Sequence, residues 1–305
     1  MSSVTRIIYL AGPTAVGKSA IALELARRIN AEIVSADSMQ VYRGMDIGTG
    51  KPTPQEQTRC PHHLFDIVNP DEAFHAAAWA TRARAAIDDI HGRGRTPIIV
   101  GGTGLYFRAL RGGLFEAPPS DPSIRARHQA EATALGVSAL HLRLQEIDPE
   151  AAAQIKPGDL VRTSRALEVY EQTGIPVSEL RRRAARPSLP WRLSVVVLDY
   201  PLDKLRPLIH ARIDRMMATG FLAEVESLRK AGFGHTRAMA ALGYKQLGQH
   251  LDGLLTLDEA VLQTKTATSA YARRQRTWFR REEAQLRAAV RPDPDALVRD
   301  LSLDL

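Results

Sequence analysis

Gly12-Pro13-Thr14-Ala15-Val16-Gly17-Lys18-Ser19 fits the pattern G-x-x-x-x-G-K-[ST] of a phosphate-binding loop. An apolar run from Ile7 to Ala11 precedes the loop, and a segment with helical periodicity follows it to about Asn30. The motif requires this context of a strand before the loop and a helix after it. The stretch therefore predicts a strand, a loop and a helix that together bind a diphosphate or triphosphate.

The residue types of this loop suit an anion. Gly12 and Gly17 free the backbone to turn its N–H groups inward, and Lys18 adds a positive charge. The positive end of the helix dipole points at the same place. The Ser19 hydroxyl is a candidate ligand for Mg²⁺, which we expect as the cofactor. We expect all eight loop residues to form the diphosphate site, although a glycine-rich turn would also match the pattern.

Composition restricts the class of protein. The chain has 305 residues, 44% of them hydrophobic, and it has no apolar run long enough to span a membrane. No signal peptide is recognisable, so we expect a cytoplasmic protein without a membrane partner. We also expect a monomer. The single cysteine, Cys60, excludes an internal disulfide. A net charge of +7 makes a polyanionic partner plausible.

Two strand ends lie near the loop in the predicted sheet. The run Ile33 to Ser38 reads as a short buried strand that ends at Asp37, which is either catalytic or the cap of a turn. The strand Pro97 to Val100 continues into Gly101-Gly102-Thr103-Gly104, where an ordinary ATPase has an acidic residue. Thr103 can donate to a phosphate oxygen. Asp37 is therefore the best carboxylate for the reaction centre.

The segment between these strands reads as a loop followed by a helix. Residues Val41 to Pro54 contain many helix and strand breakers, and Arg43 and Lys51 within them could bind substrate phosphates or be solvated. His62 and His63 are adjacent without a third metal ligand at useful spacing, which favours a structural role. A helix is expected from Asp71 to about His91.

The order of segments predicts an α/β fold: a parallel sheet core with the phosphate-binding loop, flanked by helices, and an inserted all-helical domain. The next strand after Val100, Leu193 to Leu198, comes only after a long helical block. We place the first part of the core at residues 1–112, the helical insertion at 113–190 and the second part of the core at 191–305.

Basic residues cluster in the insertion and near the C-terminus. Arg162 and Arg165 lie on one predicted helix face, and the run from Arg181 to Arg192, which includes Arg186, has no acidic residue. Six basic residues and no acid lie between Thr264 and Arg281, interleaved with aromatic residues. This pattern indicates either contact with single-stranded nucleic acid or a bundled helix with buried aromatics. Only the tail after Arg291 looks dispensable.

Several stretches together resemble one family, the bacterial tRNA dimethylallyltransferases. The matching stretches, from Gly12 nearly to the C-terminus, are Gly12 to Ser19, Asp37-Ser38 with Gln40, Val41 to Thr49, Lys51-Pro52, His62-His63-Leu64 with Asp66, Gly101-Gly102-Thr103 with Leu105-Tyr106, Arg162, Arg165 to Glu168, Arg212, Gly220-Phe221, Gly243-Tyr244-Lys245 and Tyr271 to Arg280. The loop motif is shared by many enzymes. The stretch from Asp37 to Pro52 and the Arg-Gln-x-Thr-Trp-Phe ending are specific in combination.

The resemblance implies a reaction and its residues. It implies transfer of a dimethylallyl group from dimethylallyl diphosphate to N6 of adenosine 37, beside the tRNA anticodon, with Asp37 as general base. Thr103 and Arg212 would stabilise the leaving diphosphate together with the loop. The implied tRNA contacts, on a base flipped out of the anticodon loop, are Asp37, Ser38, Met39, Gln40, Thr103, Arg125, Val161, Arg162, Thr163, Ser164, Arg165, Gly243, Tyr244 and Lys245.

Two positions depart from the pattern, and three other functions compete. Gly50 stands where the family often has alanine, and Leu208 stands where an arginine often precedes Arg212 by one helical turn. A small-molecule kinase would explain the loop and Asp37 but not the insertion. A prenyltransferase acting on free adenine nucleotides would leave the arginines without a role, and a non-enzymatic RNA-binding module would leave the loop idle.

Overall fold

The structure is a computed structural model that describes residues 6–112, 114–115, 117–184 and 189–301. It divides into two compact units, Met1–Leu110 with Leu189–Leu305, and Arg111–Ser188. We call the first the sheet unit and the second the helical unit. Arg186, part of the predicted basic run, lies outside the described residues.

The sheet unit contains a six-stranded sheet in which every neighbouring pair is parallel. Its strands are β1 (Arg6–Ala11), β2 (Ala31–Ser35), β3 (His62–His63), β4 (Thr96–Gly101), β5 (Arg192–Leu198) and β6 (Leu286–Ala288). Their order across the sheet is β3-β2-β4-β1-β5-β6. The predicted parallel α/β core is confirmed. Ligand sites form at the carboxyl ends of such strands, so the loops after β1, β2 and β4 should meet there.

Fourteen α-helices are described. They are α1 (Lys18–Arg28), α2 (Pro54–Arg59), α3 (Ala76–Gly92), α4 (Gly104–Leu110), α5 (Pro122–Leu135), α6 (Val137–Ile147), α7 (Pro149–Gln154), α8 (Leu160–Thr173), α9 (Val177–Arg183), α10 (Leu202–Ala218), α11 (Phe221–Lys230), α12 (Tyr244–Leu251), α13 (Leu257–Phe279) and α14 (Pro294–Asp300). The helices α5 to α9 belong to the helical unit and the others to the sheet unit. None of the described helices is long and apolar enough to cross a membrane.

Two apolar clusters hold the sheet unit together. One lies between the central strands and α1, α10 and α14, with Leu10, Ile21 and Leu205 among its buried members. The other packs α11 and α12 against the loop after β2, with Met45, Phe221 and Tyr244 fully buried. The central strands are almost wholly apolar because helices cover both faces of a parallel sheet. The second cluster gives the irregular loop after β2 a fixed position.

The structure differs from the expected elements at several ends. The strand β2 ends at Ser35, so Ser38 lies in a turn beyond it. Helix α3 begins at Ala76 and not at Asp71, because the His75 side chain caps it by accepting the Ala78 N–H at 3.2 Å. Neither β3 nor β6 was expected, since strands of two and three residues have no periodicity to detect.

The prediction that the tail after Arg291 is dispensable is wrong. This segment forms α14, which begins with Asp293 as its cap and packs against α1. Leu297 is 1% exposed and belongs to the same cluster as the central strands. Removing the tail would therefore open the core.

The helical unit has its own core. Its helices α5, α6, α8 and α9 bury Leu140, Leu144 and Leu167. Aspartates cap three of its helices: Asp121 on α5, Asp148 on α7 and Asp159 on α8. Side-chain caps of this kind satisfy the free N–H groups at helix starts. The inserted block is thus a small folded body and not a set of solvated helices.

Candidate functional site

The loop Gly12 to Ser19 connects β1 to α1, as its motif predicts. Lys18 is the first residue of α1, and its ammonium group folds back over the loop to donate to the carbonyls of Gly12 at 3.0 Å and Pro13 at 2.7 Å. Burial lowers the Lys18 pKa to about 7, with Asp37 opposing this shift and Arg212 adding to it. A bound anion would favour the charged amine, so the loop is electrostatically incomplete without a negative ligand.

A cavity of about 670 Å³ opens beside this loop within the sheet unit. It is lined by polar groups of the predicted site, namely Thr14, Lys18, Ser19, Asp37, Ser38, Gln40 and Arg212. Apolar side chains also line it, among them Ile209, Ile213 and Met216 from α10. A cavity with convergent charges and an apolar wall can hold a ligand that is anionic at one end and hydrocarbon at the other.

Asp37 lies in the turn after β2 and lines the cavity. Its Oδ1 accepts the Met39 N–H at 2.9 Å, and its own N–H donates to Ser35 Oγ at 3.3 Å. The carboxylate thus caps the turn, which was the competing interpretation. Its other oxygen, Oδ2, has no hydrogen bond to any described residue and stays available to a ligand.

Thr103 connects the turn at Asp37 to the loop after β4. Its Oγ1 accepts the Ser38 N–H at 3.1 Å. The Tyr271 hydroxyl interacts with Thr103 and Gln275, and its pKa is raised, first by burial and then by the carboxylate of Asp37. Tyr271 therefore stays neutral and can donate a hydrogen bond into the cavity. The structure brings Asp37, Thr103 and Tyr271 to one place.

Arg212 on α10 joins the phosphate-binding loop to the loop after β2. Its Nη1 donates to Thr14 Oγ1 at 2.9 Å and its Nη2 donates to the Thr49 carbonyl at 3.1 Å. Burial lowers its pKa, and Asp37 opposes that shift. Leu208, one turn earlier, is 43% exposed and brings no second charge. Arg212 is thus the arginine of α10 that reaches the loop.

The loop after β2 is held from several sides. Gln40 accepts from Ser35 Oγ at 3.1 Å and donates to the carbonyls of Thr49 and Gly50. Glu224 accepts the backbone N–H groups of Asp46, Ile47 and Gly48. Three successive amides on one carboxylate form an anion-binding nest filled by the protein itself. The loop edge of the cavity is therefore preformed.

The possible role of Lys51 in phosphate binding is wrong, whereas that of Arg43 stays a prediction. The Lys51 side chain is 4% exposed, and its ammonium group bonds Asp46 and Asp66, at 2.6 Å and 2.5 Å. Arg43 is exposed and donates to Asn69 Oδ1 at 3.1 Å. His63 contacts Glu32 at 2.6 Å, in agreement with the structural role predicted for the histidine pair.

The three predicted RNA contacts on α12 and before it differ in exposure. Tyr244 is 1% exposed and donates through its hydroxyl to Glu224 Oε1 at 2.6 Å. Gly243 is buried with a positive φ of 86°, and Lys245 is exposed. Of these side chains, only that of Lys245 offers a charge to solvent.

The aromatic side chains of α13 are used inside the protein. Phe279 is 1% exposed and lies edge-on to Phe107 with ring centroids 6.1 Å apart. Arg108 lies 4.6 Å from the centroid of the Trp278 ring. Stacking of Phe279 on an RNA base is therefore wrong, and the bundled-helix alternative holds for that ring. Tyr271 differs because it lines the cavity.

The predicted RNA contacts of the helical unit fall into two groups. Arg125 and Arg165 both pair with Glu168, whose side chain is fully buried, at 3.2 Å and 2.8 Å. Thr163 and Ser164 are buried, and Ser164 Oγ bonds His128 at 3.0 Å. Val161 and Arg162 are exposed. Among the arginines of this set, the side chain of Arg162 is the most exposed, at 64%, compared with 45% for Arg125 and 31% for Arg165.

The residues at the cavity fit Mg²⁺. The Ser19 side chain has no hydrogen bond to any described residue, and the cavity also carries the Asp37 carboxylate. No cluster of three or more His, Cys, Asp or Glu that could hold a metal exists among the described residues. Mg²⁺ commonly takes one or two protein oxygens and completes its shell with water and substrate phosphates.

Sequence reasoning missed two residues of the site. Gln275 on α13 is 6% exposed and bonds both the phosphate-binding loop and the loop after β4. Glu224 on α11 holds the loop after β2. A buried glutamine gives no signal in an isolated sequence, since its partners are 261 and 173 positions away. Only its place in the Arg-Gln-x-Thr-Trp-Phe stretch marks it.

Comparison with known proteins gives consistent matches. The family model for IPP transferase matches residues 40–282, and that for isopentenyl transferase matches residues 5–64. The chain is 48% identical to the tRNA dimethylallyltransferase of Syntrophobacter fumaroxidans, over 90% of this chain and 80% of that protein. It is 47% identical to that of Anaeromyxobacter dehalogenans, over 96% of this chain and 98% of the relative.

Solved structures agree with the sequence matches. A full-length tRNA isopentenylpyrophosphate transferase from Bacillus halodurans superposes with a TM-score of 0.69 at 38% identity, covering 97% of this chain and 94% of its own. A eukaryotic dimethylallyltransferase described as acting on tRNA gives a TM-score of 0.72 at 28% identity, covering 99% of this chain and 73% of its own. With a family model over most of its length and relatives close to half identical, the chain belongs to the IPP transferase family.

Proposed function

We propose that this protein transfers the dimethylallyl group of dimethylallyl diphosphate to N6 of adenosine 37 in tRNA, giving N6-isopentenyladenosine and diphosphate. Its relatives are named tRNA dimethylallyltransferase, and one structural neighbour is described as acting on tRNA. The observation that carries the proposal is the cavity itself. It joins a phosphate-binding loop, an apolar wall and the carboxylate of Asp37.

The donor loses its diphosphate in this reaction. The bond between carbon 1 of the allyl group and the diphosphate oxygen breaks, and negative charge accumulates on the phosphates. Lys18, the loop N–H groups and Arg212 are placed around the loop to stabilise that charge. Because an anion raises the pKa of Lys18 from about 7, binding of the donor also charges the amine that the leaving group needs.

The acceptor supplies the electron pair for the new bond. The adenine N6 attacks carbon 1 and then loses a proton, which we assign to Asp37 as general base. Its Oδ1 is occupied by the Met39 N–H, so Oδ2 is the oxygen that takes the proton. Thr103, bonded to the Ser38 N–H, keeps the turn in place and can contact the diphosphate or the base.

Mg²⁺ bound by Ser19 and the phosphates would neutralise part of the leaving group's charge. We place RNA contacts at exposed side chains of the predicted set, namely Arg125, Val161, Arg162 and Lys245, with the cavity residues Ser38, Met39 and Gln40 nearer the base. The protein is proposed to work as a cytoplasmic monomer. Arg125 and Arg165 already pair with Glu168, so an RNA phosphate would share each of these arginines with that carboxylate.

Mass spectrometry of an anticodon stem-loop RNA, incubated with protein, Mg²⁺ and dimethylallyl diphosphate, tests the reaction. A gain of one dimethylallyl group without ATP is expected. Asp37→Asn should lower turnover by about a hundredfold or more while diphosphate and RNA still bind. The exposed Asp71→Asn is the matched control. Prenylated free AMP, or ATP consumption with unchanged RNA, would instead support a nucleotide prenyltransferase or a kinase.

A further inference from the structure

Gln275 is a buried side chain whose amide oxygen and nitrogen are both hydrogen-bonded beside the cavity. Its Oε1 accepts the Thr14 backbone N–H at 2.8 Å, and its Nε2 donates to the Gly102 carbonyl at 2.9 Å. Thr14 belongs to the phosphate-binding loop, and Gly102 precedes Thr103 in the loop after β4. One side chain from α13 therefore connects the two loops that carry the diphosphate cradle and Thr103.

The surrounding backbone is fitted to this contact. A Cβ at Gly102 would lie 2.1 Å from Gln275 Nε2 and 2.9 Å from the Gly12 carbonyl oxygen. Any residue other than glycine at 102 would thus push away either the glutamine or the phosphate-binding loop. The close approach of the two loops to the Gln275 amide therefore depends on the glycine at position 102.

Two further contacts connect the position of Thr14 to the rest of the site. The side chain of Thr14 accepts a hydrogen bond from Arg212. Its backbone is therefore held by a residue of α13 and its hydroxyl by a residue of α10. The hydroxyl of Tyr271, one turn before Gln275, interacts with Thr103 and with Gln275 itself. Displacement of Gln275 would therefore move the anion cradle relative to Thr103.

We propose that Gln275 is a positioning residue of the transfer reaction, which holds the phosphate-binding loop and the Gly102–Thr103 loop in register through its side-chain amide. The proposal rests on the proposed function for its reaction. Gln275 bonds two backbone groups and acts through them. Preorganised groups lose effect steeply when they shift, and a displacement near 1 Å can cost about a hundredfold in rate.

The test compares two substitutions at this position. Gln275→Met keeps the length of the side chain and removes both hydrogen bonds. Gln275→Glu keeps an acceptor for the Thr14 N–H but, as a carboxylate, cannot donate to the Gly102 carbonyl. A protonated carboxyl restores both bonds. Gln263→Met and Gln263→Glu, on an exposed position of the same helix, are the matched controls.

We expect Gln275→Met to lower kcat/KM for the allylic diphosphate by about ten- to a hundredfold and to weaken binding of inorganic diphosphate in calorimetry. The activity of Gln275→Glu relative to wild type should rise as pH falls from 8 to 6, because protonation supplies the missing donor. Both Gln263 variants should match wild type. Circular dichroism and thermal melting establish that each variant is folded.

A purely structural glutamine would behave differently. Gln275→Met with wild-type kcat/KM and diphosphate affinity would overturn the proposal, and so would a ratio of Gln275→Glu to wild-type activity that does not change with pH. Should Gln275→Met fail to fold, the pH profile of Gln275→Glu decides. Wild-type protein that binds diphosphate but transfers nothing contradicts the proposed function alone, and the diphosphate affinity of the variants then tests the positioning role.

Discussion

At the scale of single residues, Gly50 determines where Arg212 can lie. A Cβ at Gly50 would lie 2.3 Å from Arg212 Nη2, and the φ of Gly50 is +63°. Gly50→Ala should therefore displace the guanidinium from Thr14 and raise KM for the allylic diphosphate about fivefold, or ~1 kcal/mol. Steady-state kinetics with varied diphosphate at saturating RNA measures this. Glycine at position 50, where the family often has alanine, thus leaves room for the guanidinium of Arg212.

Gly253→Ala separates this steric effect from backbone strain. Gly253 has a similar φ of +74°, and a Cβ there meets nothing within 4 Å. Both variants should lose about 1 kcal/mol of stability from the left-handed backbone, whereas only Gly50→Ala should change KM. If KM changes equally in the two variants, the contact between Gly50 and Arg212 does not position the arginine.

The buried carboxylate of Glu168 should make the free energy of unfolding of this protein depend on pH. Burial alone would raise its pKa, but Arg165, the Asp121 N–H and Arg125 outweigh burial, so the pKa is lowered overall. A carboxylate with a lowered folded-state pKa stabilises the fold above its unfolded pKa, about 4.3, and this contribution is lost as pH falls through the folded pKa. Glu168→Gln should cost about 2 kcal/mol at pH 7.

The measurement is urea unfolding of wild type and Glu168→Gln, followed by circular dichroism from pH 7 to pH 3. The difference between their free energies of unfolding should shrink as pH falls from about 4.3 through the lowered folded-state pKa of Glu168, where that side chain becomes neutral like the glutamine. A difference that stays constant over this range would show that the charge of Glu168 does not stabilise the helical unit.

At the scale of elements, strands and helices could be predicted where their pattern lies within one short stretch of the chain. The order β1, loop, α1 is local, so motif and periodicity were enough to place it. The strands β4 and β5, six and seven residues long, each contain an apolar run that was also recognisable. The strand β6 is three residues long and pairs with β5 far earlier in the chain, which no local pattern reveals.

The same argument explains the site. Asp37, Thr103 and the loop follow strands whose carboxyl ends meet at one edge of a parallel sheet, so their proximity could be inferred. Lys51 could not be assigned from sequence, because its partners Asp46 and Asp66 are set by the fold of an irregular loop. The opposite case is Phe279, whose basic neighbours in the sequence suggested contact with RNA but whose ring is buried beside Phe107.

The last helix should contribute substantially to stability. Leu297 on α14 is 1% exposed within the cluster that contains the central strands. Leu297→Ala removes buried carbon atoms and leaves a cavity, so it should cost about 2–4 kcal/mol in free energy of unfolding. Val290→Ala, at a position 72% exposed, should cost less than about 0.5 kcal/mol. Urea denaturation of both variants decides whether the tail is part of the core.

At the scale of the whole molecule, many basic side chains are paired with acidic side chains of the protein, and fewer are free to bind a polyanion. The net charge is +7, yet many arginines are committed to internal pairs, such as Arg276 with Asp199 at 2.6 Å and Arg165 with Glu168. Counting basic residues therefore overstates the charge that is free to meet a polyanion. Arg162 differs, because its side chain is 64% exposed and meets Asp159 only at 3.5 Å.

The salt dependence of RNA binding follows from this difference. If Arg162 contacts a phosphate, Arg162→Gln should reduce the slope of log K against log salt by about 0.7–0.9, the value for one phosphate contact. Fluorescence anisotropy of a labelled anticodon stem-loop from 50 to 300 mM salt, about the usual range for such titrations, gives the slope. Arg59→Gln removes an equal charge from an exposed site outside the proposed RNA surface. Equal changes in both variants would mean that net charge, and not a contact of Arg162, sets the slope.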